Sequence, residues 1–61
     1  MKIGDLVTRK SHNHDITFCI IDFTTDNEGN CVAILKALYN NTFVVDAPIE
    51  DLVNILTTGK L

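Results

Sequence analysis

The sequence predicts a small all-β domain: five short strands closing into a barrel, with one helical turn before the last strand. Three observations predict it. β-rich runs recur at short intervals along 61 residues, each bounded by polar or turn-forming residues. Two of these runs, TFCIIDF at 17–23 and CVAILKAL at 31–38, flank Asp26-Asn27-Glu28-Gly29-Asn30, which holds the residues of a hairpin turn. The proline, Pro48, stands where a helical turn can start, because its φ is preset and it has no N–H to give.

The elements follow in order. Residues 3–10, IGDLVTRK, read as the first strand, with Val7 inward, Thr8 and Lys10 on the opposite face, and Arg9 at the rim with its charge in water. Residues 11–15, SHNHD, read as a polar loop at one end of the barrel. The hairpin places Asn27 and Glu28 at the corners and Gly29 in the left-handed conformation as a bulge. Its strands do not alternate cleanly. Cys19-Ile20-Ile21 and Val32-Ala33-Ile34-Leu35 are apolar on both faces, which fits either strands covered twice or an exposed apolar patch. Tyr39-Asn40-Asn41 reads as a second turn, and residues 42–45 as the fourth strand. A 3₁₀ turn is expected over 48–51 and a fifth strand over 52–56, with 57–61 a tail or the start of a linker.

Five strands with one such turn before the last is the pattern of the SH3-like barrel, assigned to residues 1–56. The rival is an α+β domain with 48–56 helical, since Asp51, Leu52, Ile55 and Leu56 suit about two turns. The expected barrel core is Val7, Phe18, Ile20, Ala33, Leu35, Val44, Leu52 and Val53.

Composition sets limits. The chain is 46% hydrophobic and 21% charged, a globular balance that buries only a thin core at this length. A formal charge of −3 weighs against a whole-domain nucleic-acid binder. No apolar run approaches a membrane span and the start turns polar at once, so a cytoplasmic protein, or part of one, is expected.

Candidate chemistry is sparse. His12, His14 and Asp15 lie in the polar loop, yet a metal site needs three or four ligands at fixed geometry, which a loop spacing does not promise. The hairpin register separates Cys19 from Cys31 by on the order of 20 Å, too far for a disulfide, and nothing fixes a histidine beside either thiol. Both cysteines therefore read as structural thiols. Glu50 and Asp51 are adjacent acids that point apart and suit helix-terminus and solvent roles. Arg9, Lys10 and Lys36 would make a small basic patch if the first and third strands met, though a solvated face explains them as well. No catalytic residue, metal ligand or cofactor is assigned.

The combination IGDLVTRKS at 3–11, DITFCII at 15–21, Gly29-Asn30 leading into Ala33-Ile34-Leu35, and DAPIEDLV at 46–53 resembles the N-terminal segment of the sporulation-specific protease family called YabG. Members begin with a similar IGDxVxRKS strand and carry a similar xDLV ending. The resemblance implies a longer protein of a spore-forming bacterium, in which a cysteine-type peptidase domain follows and processes spore coat and cortex-related proteins. The family's catalytic cysteine and histidine belong to that downstream domain, so no catalytic role passes to Cys19, Cys31, His12 or His14. A chain ending at Leu61 is then an excised domain or a stand-alone relative.

The expected function is that of a non-catalytic module in the sporulating cell or developing spore, monomeric, which positions protein substrates or regulates the peptidase domain. The alternative is a small RNA- or ribosome-associated barrel. The expected binding surface combines His12, His14 and Asp15 with Tyr39, Asp46 and Glu50.

Overall fold

The computed structural model describes residues 1–39 and 43–55. Five strands, β1 (Leu6–Arg9), β2 (Phe18–Thr25), β3 (Cys31–Ala37), β4 (Val44–Pro48) and β5 (Leu52–Asn54), form one antiparallel sheet in the order β4-β3-β2-β1-β5. Two 3₁₀ turns, Lys10–His12 and Ile49–Asp51, precede β2 and β5. The helical rival over 48–56 is not what forms: a 3₁₀ turn and then a strand occupy Ile49–Asn54; that strand stops short of the expected 52–56, since Ile55 is helical, while Leu56 and the expected tail at 57–61 lie outside the described residues.

The central hairpin carries the fold. Asp26 closes it: its N–H donates to the Asn30 carbonyl at 2.9 Å, its carbonyl accepts from Gly29 N–H at 3.1 Å, and its carboxylate accepts from the N–H groups of Glu28 and Asn30, both at 2.9 Å. Those donors, the Asn30 amide foremost, hold the Asp26 carboxyl below its ordinary pKa. Gly29 sits at φ +85°, a conformation that costs any residue with a Cβ, so the expected glycine bulge is present.

Register decides which face each side chain serves. One face gathers Val7, Phe18, Ile20, Ala33, Leu35, Ala37, Ala47 and Leu52 into a single buried cluster, with Phe23, Val45 and Ile49 packed against it. All five strands contribute to this cluster, whose burial removes its apolar area from water, while the sheet itself is open, with β4 and β5 as its edges, where a closed barrel was expected. The mixed pattern of β2 has a specific cause. The ladder runs Ile20↔Leu35 and then Asp22↔Ile34, leaving Ile21 as an extra residue. Ile21 stands outward after the buried Ile20, and the bulge shifts the parity beyond it so that Phe23 returns to the core side.

Several expectations change. Val44 is 50% exposed, because it stands opposite Lys36 on the outer face of the edge strand β4, and Val45 turns inward instead. Val53 is only half-buried, paired with Thr8 on that outer face. Thr8 is on the face expected but is buried, since the β1–β2 connection folds back and His14 covers its hydroxyl. The first strand is shorter than residues 3–10, and Lys10, expected in that strand, instead opens a 3₁₀ turn that runs to His12 in the expected loop. β4 continues through Asp46 and Ala47 to Pro48, which pairs with Val32; a proline fits there because β4 is a sheet edge. Asn40, Asn41 and Thr42 lie outside the described residues.

Candidate functional site

The residues named from sequence are spread over four segments. His12, His14 and Asp15 lie in the β1–β2 connection, Tyr39 in the β3–β4 connection, Asp46 within β4 opposite Ile34, and Glu50 in the second 3₁₀ turn. All six are exposed, Tyr39 to 88%. The two connections touch, because Leu38 N–H donates to the Thr17 carbonyl at 3.0 Å.

Around them, polar side chains are engaged within the fold. The Asp51 carboxylate is the hub. It accepts from Arg9 Nε at 3.0 Å, from Ser11 N–H at 2.8 Å and from Ser11 Oγ at 2.7 Å. This ties the second 3₁₀ turn to the end of β1 and the start of the first turn. Arg9 and Asp51 side chains are only 16% and 15% exposed, so the pair is partly shielded from solvent. The Ser11 hydroxyl above all, with its amide and the Arg9 guanidinium, holds the Asp51 carboxyl down to about 2 from an ordinary 3.8. Asp51 therefore is no general base at neutral pH and serves as a clasp. The sequence reading missed it because Arg9 and Asp51 are distant in the chain and meet only when β1 and β5 pair.

A second clasp lies at the start. Asp5 accepts from Lys2 N–H at 3.0 Å and from Asn54 Nδ2 at 2.7 Å, with Lys2 Nζ at 3.3 Å. Chiefly through the Lys2 amide, its carboxyl is also held low. Thr8 Oγ1 and His14 Nδ1 lie 2.6 Å apart, which occupies one nitrogen of His14. His14 and Asn13 both adopt left-handed φ, at 59° and 56°, and this is what turns the loop back over Thr8.

The proposed basic patch is not assembled. β2 separates β1 from β3, and Arg9 is committed to Asp51. No group of three or more potential metal ligands occurs among the described residues. Cys19 and Cys31 are both free thiols. Cys19 stands opposite Lys36, five positions along β3 from Cys31, which at about 3.4 Å per residue is roughly 17 Å. Thiol titration under non-reducing denaturation is expected to count two thiols per chain. In the native protein the exposed Cys31 is expected to react first and the half-buried Cys19 more slowly. An intramolecular bridge would refute the register.

These features define a small all-β domain of one five-stranded sheet whose loops are clasped by carboxylates. The chain belongs to the YabG peptidase U57 family, whose family model matches residues 2–60. No curated protein and no solved structure matches it.

Proposed function

We propose that this chain is the non-catalytic, SH3-like N-terminal module of a sporulation protease, which positions protein substrates or regulates the peptidase domain. Family membership supports the setting, and the strand order β4-β3-β2-β1-β5 with a 3₁₀ turn before β5 supports the SH3-like reading. The observation that carries the non-catalytic role is the separation of the chemistry. The two thiols stand about five positions apart along the β2–β3 ladder, and His14 spends Nδ1 on Thr8. A thiol nucleophile needs a base within hydrogen-bond reach.

The recognition surface in this reading joins the His12–Asp15 loop to Tyr39 and the acidic side chains Asp46 and Glu50. Tyr39 offers a rigid aromatic with a polar tip, and the carboxylates favour a basic segment of a spore coat or cortex-related protein. The domain works as a monomer in the cytoplasm of the sporulating cell or in the developing spore. Among the described residues no helix is long and apolar enough to cross a membrane.

The test mixes the purified chain with spore-coat proteins and, separately, with structured RNA, each followed by chemical-shift mapping and a cleavage assay. Weak binding is expected, weakened further by added salt, with shifts on His12, Tyr39 and Glu50 and no cleavage. Cleavage by this chain that is lost in Cys19→Ser or Cys31→Ser would overturn the reading. Tight RNA binding with shifts on Arg9, Lys10 and Lys36 would replace it with a nucleic-acid module.

A further inference from the structure

The outer face of the sheet, opposite the core, carries an apolar depression of about 250 Å³ lined by Cys19, Ile21, Lys36, Ala37 and Leu38. Its walls are aliphatic side chains in water: Ile21 is 41% and Leu38 44% exposed. Ile21 stands outward by strand alternation after the buried Ile20, and the bulge keeps Asp22 on the same outer side. The volume falls below the range of about 300–1,000 Å³ typical of small-molecule sites, so it suits one side chain better than a cofactor.

Charge selects the occupant. Lys36 lies across from Cys19 and Val44, in an apolar setting, and forms no ion pair among the described residues. Lys36 is itself one of the lining residues, so its charge belongs to the depression. The nearest cross-strand acids on this face, Asp22 and Asp46, both stand opposite Ile34, two residues along β3 toward the hairpin. The face is thus positive beside the depression and negative farther along β3. We propose that this face docks an extended protein segment that seats an aliphatic or aromatic side chain in the depression and sets an adjacent carboxylate against Lys36. This site adjoins the acidic surface described above at Asp46 and Tyr39, but it takes a ligand of opposite charge and does not depend on that reading.

The test titrates the full chain with two capped pentapeptides, each with a central leucine, flanked in one by glutamates and in the other by lysines. Amide shifts are followed by NMR. The glutamate peptide is expected to shift Cys19, Ile21, Lys36 and Leu38 and to bind at least tenfold more tightly than the lysine peptide. Lys36→Glu is expected to reverse that preference. Ile21→Thr, a substitution at an exposed β position, is expected to weaken the glutamate peptide severalfold while the amide spectrum stays that of the folded chain. Equal binding of both peptides, shifts confined to the loops, or no shifts at millimolar peptide would overturn the proposal. So would concentration-dependent dimerisation through the same residues, which would make a second copy the occupant.

Discussion

Phe18→Ala is expected to leave the domain largely unfolded at room temperature. Phe18 is buried where β1, β2 and β3 meet, beside Phe43 with ring centroids 6.2 Å apart. Removing a buried phenylalanine side chain costs about 3–5 kcal/mol, because the cavity collapses only partly. Small domains sit near the low end of the usual range of about 5–15 kcal/mol, so this loss consumes most of the stability of a 61-residue chain. Val44→Ala is the control: half-exposed on the edge strand, it is expected to change stability by less than about 0.5 kcal/mol. Urea denaturation followed by circular dichroism measures both. A Phe18 variant with a near-native midpoint would mean that the buried cluster is not the seat of stability.

Acid is expected to loosen the Asp51 clasp in a defined window. The native Asp51 carboxyl is held near 2, whereas in the unfolded chain it returns to about 3.8. Between those values the unfolded state binds more protons, so stability rises with pH and is lost as pH falls through the window. Asp5 and Asp26, also held low by amide donors, act in the same direction. Asp51→Asn removes the charge facing Arg9 and leaves Ser11 a weaker acceptor. The thermal midpoint at neutral pH is expected to fall by on the order of 5 °C, and the difference from the native chain to shrink as pH falls toward 2, where the native carboxyl is half protonated. Thermal unfolding across pH 2–7 checks this. Parallel curves for the two proteins would show that Asp51 contributes no pH-dependent stability.

Local chemistry made much of the fold legible. Asp26, Gly29 and Asn30 mark the hairpin because their side-chain oxygens and left-handed tolerance act within a few residues, and that signal survives in any context. Val7, Phe18, Ile20, Ala33 and Leu35 were readable as core because each belongs to a β-rich run whose inward parity follows from that turn. The family, too, was legible in the strand motifs and the DAPIEDLV stretch. Val44 was not, because an apolar pair such as Val44-Val45 has no parity of its own; pairing with Lys36 and Leu35 decides it.

The candidate surfaces were less legible. The sequence showed apolar residues on both faces of the hairpin and left open whether the second face is covered. The register answers this, since Ile21 falls on the outer face beside Lys36 and Leu38 and remains exposed there. By itself, then, the sequence determined the strands, the turn and most of the core, all set by interactions between near neighbours in the chain. Only the tertiary structure decided that Arg9 and Ser11 clasp Asp51, that Asn54 reaches Asp5, that His14 covers Thr8 and that Lys36 borders an apolar depression. The clasps between the two ends of the chain, like the placement of Lys36, depend on which strands lie side by side; the His14 contact depends on left-handed backbone at Asn13 and His14, residues that leave no hydrophobic pattern to read.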